Sequence, residues 1–208
     1  VIGHSEGGTI AIRSAADNQC DFIVTLAAPA WSGDSIIMSP CRAIATGLSG
    51  RWDGEQTQRA ILDVVKSPVN NGMARISLNM ILRNAFGQQA DIPKIKESIE
   101  EQIDVLVSAH YRDMIRYNPA NDISRIKKLW LALNGDHDVQ VLPDNLKTIS
   151  DLCPTALTKL LKGHNHLMQR CITGLPDEYA RINEDISQAA LDNITEWLDC
   201  HFTERKNL

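Results

Sequence analysis

The chain has 208 residues, 43% hydrophobic and 23% charged, the make-up of one globular domain or two small ones. A net charge of −5 with no Lys/Arg cluster repels phosphate backbones and argues against a nucleic-acid partner. No apolar run approaches the ~20 residues that a membrane-spanning helix needs.

Residues 1–4 (VIGH) read as the end of a strand, and Gly7–Ala16 as a helix that Asn18 would end. The run Phe22–Ala27 is β-rich and apolar, a buried strand closed by Pro29 and Gly33. From Trp31 to Pro119 no strong strand follows. Apolar residues fall at helical spacing over Thr57–Val65, Met73–Phe86 and Lys94–Val107, separated by Pro68, Asn70-Asn71-Gly72 and Pro93. Then the β/α rhythm returns. Leu129–Leu133 reads as a strand, and Pro143 fits the first turn of a helix reaching toward Ile149. Thr158–Leu161 reads as a short last strand, and Leu191–Phe202 as an amphipathic helix. Strands alternating with helices predict a mostly parallel sheet flanked by helices, interrupted by a helical insertion.

The strongest local signal is Gly3-His4-Ser5-Glu6-Gly7-Gly8, a G-x-S-x-G segment between a strand and a helix. A serine there must sit on a sharp, strained turn so that its Oγ projects from the sheet. The residues two before and two after are expected to approach closely, which only very small residues allow. The helix start behind Ser5 supplies partial positive charge, and the N–H of Glu6 becomes a candidate oxyanion donor.

A lone serine is a weak nucleophile. It needs a base within hydrogen-bond reach, and the base needs an orienting carboxylate. With such an elbow the acid and then the histidine follow in chain order, each after a strand. Asn134-Gly135-Asp136-His137-Asp138 follows the Leu129–Leu133 strand, so Asp136 and Asp138 are both candidate acids. Gly163-His164-Asn165-His166-Leu167 follows Thr158–Leu161, so His164 and His166 are both candidate bases.

These segments together resemble those of the bacterial α/β-hydrolase esterases related to the prolyl-oligopeptidase and dienelactone-hydrolase families. That group's nucleophile motif is similar to G-H-S-E-G-G, here Gly3–Gly8. Its acid motif is similar to A-L-x-G-x-x-D-x-Q-V, here Ala132–Val141. Its histidine motif is similar to G-x-N-H-L-x-Q, here Gly163–Gln169, and Tyr117-Asn118-Pro119 resembles its Y-D-P. The resemblance covers nearly the whole chain and departs from the family where Leu129-Trp130 stands for the usual Pro-Val. It implies Asp138 over Asp136 and His166 over His164, hence a Ser5, Asp138, His166 triad acting on a small acyl substrate, with no cofactor. It also implies a truncated α/β-hydrolase, with core residues 1–30 and 119–208 and a helical cap over 31–118. The preceding strands and the loop giving a second oxyanion donor would then be missing. The sheet edge so exposed would favour a homo-oligomer. Any signal segment would be missing too, which leaves a cytoplasmic or a periplasmic location open.

Other residues draw plainer expectations. Five scattered cysteines without CxxC spacing read as free thiols, and six unpaired histidines give no metal site. His4 should pack beside the elbow. His137 and His164 read as loop surface beside the acid and the base. Trp52, Trp130 and Trp197 read as packing residues, and Trp31, just after the second strand, as a residue lining the substrate pocket.

Overall fold

The computed structural model describes residues 1–48 and 54–202; Trp52 lies outside them. The chain divides into two compact units, Val1–Trp31 with Asn118–Leu208, and Ser32–Tyr117.

The first unit is α/β. Strands β1 (Ile2–His4), β2 (Phe22–Leu26), β3 (Leu129–Gly135) and β4 (Leu157–Leu161) lie in that order in one sheet, every neighbouring pair parallel. Parallel pairing forces each connection to cross from one end of the sheet to the other. The loops that leave the strands therefore all emerge at the same edge. Helix α1 (Glu6–Ala16) joins β1 to β2 and α8 (Asp144–Leu152) joins β3 to β4. The short α7 (Ala120–Ile123) precedes β3, while α9 (Pro176–Tyr179) and α10 (Gln188–Phe202) follow β4.

Period-two alternation on β2 and β3 sorts their side chains onto two faces. Ile23, Trp130 and Ala132 pack with Ala11, Ile12, Ile123, Leu146 and Ile149 under α1, α7 and α8. Val24, Leu26, Leu131 and Leu133 pack with Ile194 and Trp197 of α10. Each of the Val, Leu and Ile side chains contributes about 1.5–3 kcal/mol when fully buried. The indole N–H of Trp130, wholly inside, donates to Thr25 Oγ1 at 2.9 Å, so the core holds no stranded donor there. Helix α1 ends at Ala16 with Asp17 as its C-cap, and Asn18, expected to end it, lies one residue beyond the cap with a left-handed φ of 57°. The predicted elements stand within a few residues of the observed ones. The exceptions are Pro143, which caps α8 instead of entering its first turn, and α10, which starts three residues early.

The second unit is helical: α2 (Gly33–Leu48), α3 (Glu55–Lys66), α4 (Asn71–Phe86), α5 (Pro93–Leu106) and α6 (Ala109–Arg116). Its own core contains Met38, Ile61, Leu62, Val65, Leu78, Ile99, Ile103 and Ile115. The sequence reading anticipates α3, α4 and α5 and misses α2 and α6. Helix α2 carries Pro40 in its interior, and α6 is short and polar. A buried arginine explains α6: the Arg112 guanidinium donates to the carbonyls of Val65, Ser67 and Val69 and to Asn71 Oδ1, pinning α6 to the α3–α4 loop.

No helix among the described residues is long and apolar enough to cross a membrane. Among the same residues no three His, Cys, Asp or Glu side chains group as metal ligands would.

Candidate active site

Ser5 occupies the turn between β1 and α1 with φ 53° and ψ −118°, a left-handed φ that a non-glycine residue rarely takes. Its N–H donates to Leu26 O at 2.8 Å, which ties the elbow to the end of β2. The expected crowding is half right. A Cβ on Gly3 would lie 2.1 Å from Gly7 O, so Gly3 is obligatory. A Cβ on Gly7, in contrast, would meet nothing. It is the Gly7 carbonyl that crowds Gly3, and the second tight approach belongs to Gly8, against Ala28. Glu6 is the first residue of α1, directly behind the serine.

Asp138 and His166 come from the loops after β3 and β4. His166 Nε2 lies 3.0 Å from Ser5 Oγ, and His166 Nδ1 lies 2.9 Å from Asp138 Oδ2. The pair is almost fully buried, with side chains 5% and 0% exposed. Burying a carboxylate is costly unless its lone pairs are filled. Asp138 fills them: Oδ1 accepts the N–H groups of Gln140 at 2.8 Å and Val141 at 2.9 Å, and Oδ2 accepts from His166.

The two runner-up residues have a different task. Asp136 Oδ1 accepts the N–H of Gly163 at 2.6 Å, fastening the acid loop to the histidine loop. His164 is 5% exposed, not loop surface; its Nδ1 bonds Lys162 O and its Nε2 bonds Ser187 Oγ, both at 2.8 Å. A short apolar strand followed by a polar loop hides this, because burial here comes from the returning 184–190 segment. His137, also expected at the surface, is half-buried, with Nδ1 3.6 Å from Cys171 Sγ.

The remaining motif residues build the histidine turn. Asn165 Oδ1 accepts the N–H groups of Leu167 and Gln169, and Asn165 Nδ2 donates to Gln169 Oε1. Gln169 Nε2 reaches Glu184 O at 2.7 Å. The turn also holds Met168, fully buried, at φ 59°. His4 packs against the base: the ring centroids are 4.8 Å apart, and Nε2 sits 2.8 Å from His166 O. Burial keeps the His4 imidazole below its usual range and so favours the neutral ring.

Trp31 is not joined to these residues by a hydrogen bond. Its indole N–H is given to Thr148 Oγ1 on α8 at 2.8 Å, which makes it a tether between the loop after β2 and that helix.

Gly135, at the end of β3, controls the spacing of the two loops. A Cβ there would lie 2.1 Å from His164 O and 2.8 Å from Asn165 O. Gly135→Ala should therefore push the loops apart and lower the melting temperature by several degrees, about 2 kcal/mol of strain or repacking. Thermal unfolding followed by circular dichroism measures it.

One loop escapes the sequence reading altogether. Between the histidine turn and α10, the Glu178 carboxylate accepts the N–H groups of Ile172, Thr173 and Gly174 and the Thr173 hydroxyl. These donors, the Ile172 N–H foremost, pull its carboxyl from 4.5 down to about 2. A lowered carboxyl stabilises the loop fully above the unfolded value of 4.5 and loses that contribution as pH falls toward about 2. The amide protons of residues 172–174 should thus exchange slowly on acidification through 4.5 and lose protection only near 2, as followed by NMR.

A strained serine on a strand-to-helix elbow, followed by two further loops at the same edge of a parallel sheet, defines the architecture. It is of the α/β-hydrolase type. No protein-family model matches the sequence, and no curated protein does either. Among solved structures, the chain is similar to an esterase from Rhodococcus sp., at 13% identity over 95% of this chain and 64% of that one, TM-score 0.44. It is also similar to an enol-lactonase from Burkholderia xenovorans, at 14% identity over 95% and 64%, TM-score 0.46. A third is a monoacylglycerol lipase from Paleococcus ferrophilus, at 17% identity over 96% and 67%, TM-score 0.48. The chain spans about 64% of the length of the first two.

Proposed function

We propose that this chain carries the reaction centre of a serine hydrolase acting on carboxylic esters through an acyl-enzyme. The observation that supports the reading best is the unbroken chain from Ser5 Oγ to His166 Nε2 and from His166 Nδ1 to Asp138 Oδ2. In this reading Ser5 Oγ attacks the acyl carbonyl carbon as its proton passes to His166 Nε2. Asp138 holds the Nδ1–H tautomer and stabilises the imidazolium. The carbonyl oxygen gains negative charge at the start of α1, where the Glu6 N–H and the helix dipole favour it. His166 then gives its proton to the departing alkoxide, and the C–O bond breaks to leave the acyl group on Ser5. Water, deprotonated by His166, then attacks the acyl carbon; the bond to Ser5 Oγ breaks, His166 returns the proton to Oγ, and the acid leaves. The Ser32–Tyr117 unit stands as the cap insertion of this fold.

A fluorophosphonate probe tests the reading. It should add its phosphonyl group to Ser5 with loss of fluoride, seen as a mass increment on the peptide that holds Ser5. An unlabelled Ser5 in correctly folded protein would overturn the proposal.

A further inference from the structure

One hydroxyl beside the acid and the base has no part in the mechanism above. Tyr179 closes α9, in the loop that precedes α10. Gln140 Nε2 donates to its hydroxyl oxygen at 3.0 Å. The backbone N–H of the same Gln140 donates to Asp138 Oδ1 at 2.8 Å. Gln140 therefore grips the acid with its main chain and Tyr179 with its side chain. The loop that presents this hydroxyl runs on directly from the turn that carries His166, which closes with the Cys171 N–H donating to Gly163 O at 2.9 Å. One oxygen thus joins the loop that carries the acid to the segment that follows the histidine turn.

Its own anchorage is firm. Glu178, the residue before it, is the carboxylate that gathers the N–H groups of residues 172–174. Gly174 in that loop lies so close to the acid loop that a Cβ on it would stand 1.9 Å from His137 O. The tyrosine is presented by a loop fixed internally and pressed against the acid loop, so its oxygen has little freedom to follow the others. A ring packed only for its apolar body would not need its hydroxyl placed this way.

We infer that Tyr179 is a positioning residue whose hydroxyl, through Gln140, locks the Asp138 loop to the loop that runs on from the His166 turn. The inference rests on the serine-hydrolase reading for its catalytic meaning, while the lock itself is a matter of structure. Tyr179 exchanges no proton with substrate. It keeps Asp138 Oδ2 opposite His166 Nδ1. Near-attack geometry is sensitive to displacements of an ångström or less, so a slack joint slows the chemistry without weakening ground-state binding.

The test uses the full chain with Tyr179→Phe, Gln140→Met and the double variant. Kinetics with p-nitrophenyl acetate should show kcat lowered about tenfold by Tyr179→Phe with KM little changed, and fluorophosphonate labelling of Ser5 slowed in step. In ¹⁵N-histidine NMR the His166 Nδ1 proton should exchange faster with water than in the parent. The double variant should be little worse than either single one, since both break the same link. Wild-type labelling rates together with an unchanged Nδ1 proton in Tyr179→Phe would overturn the inference and leave Tyr179 a packing residue. Should Tyr179→Phe unfold, Gln140→Met breaks the link with the ring intact, and its own unchanged Nδ1 proton would count equally against the lock. If the parent chain itself does not label, the hydrolase reading fails, and the Nδ1 exchange still decides whether the lock exists.

Discussion

Ser5→Ala should reduce kcat for a p-nitrophenyl ester by about 10⁶-fold, and Ser5→Ala/His166→Ala should do no more harm than the single change. The second half is the sharper test. Ser5 Oγ and His166 Nε2 share one hydrogen bond of 3.0 Å, and neither has a reaction to perform without the other. Once the nucleophile is gone, the base has no proton to accept, so the losses cannot multiply. Ester turnover with stopped-flow and steady-state readouts measures both variants. Losses that add on a logarithmic scale would mean that serine and histidine act separately, and the proposed mechanism would fall. The fold should survive Ser5→Ala, because the elbow is held by the backbone bond from Ser5 N to Leu26 O and not by the hydroxyl.

Asp138→Asn should cost about 10⁴-fold in kcat while leaving the site's geometry almost unchanged. The direction of the amide follows from the partners. Oδ1 accepts two backbone N–H groups, from Gln140 and Val141, so the asparagine carbonyl oxygen must take that place. Its NH₂ group then faces His166 Nδ1, where Asp138 Oδ2 now stands at 2.9 Å. A donor facing Nδ1 forces the imidazole proton onto Nε2, the nitrogen that must accept the proton of Ser5. The ring is in position but carries its proton on the wrong side. NMR of the imidazole nitrogens should show the tautomer reversed. An Asp138→Asn variant with near-parental turnover would remove Asp138 from the mechanism.

The sequence exposes the elbow and the two later loops because each follows an apolar strand and is marked by glycine. Residues alone leave Asp136 level with Asp138 and His164 level with His166. The reason is visible in the structure: Asp136, half-buried, and His164, buried, also have designated partners, Gly163 N and Ser187 Oγ. Both members of each pair are therefore polar residues of the same turn, and only their partners, contributed by distant segments, distinguish them. The Glu178 and Tyr179 loop is illegible for a related cause. Its work is done by backbone N–H groups, which every sequence has, and no apolar period marks it. Helix α2 is hidden by Pro40 and α6 by charges such as Arg112, whose four acceptors lie on residues 65–71. Gly7 shows the opposite error: a motif position read as sterically required turns out to have open space at its Cβ.

The helical unit Ser32–Tyr117 begins and finishes side by side, with Gly33 N donating to Tyr117 O at 3.2 Å. Its two ends meet, so the chain enters and leaves this segment at one place. It can be lengthened, shortened or traded for another without altering the spacing of the residues outside it. A chain with this segment exchanged between its two ends should keep the hydrogen bonds among Ser5, His166 and Asp138, because none of the three lies within it.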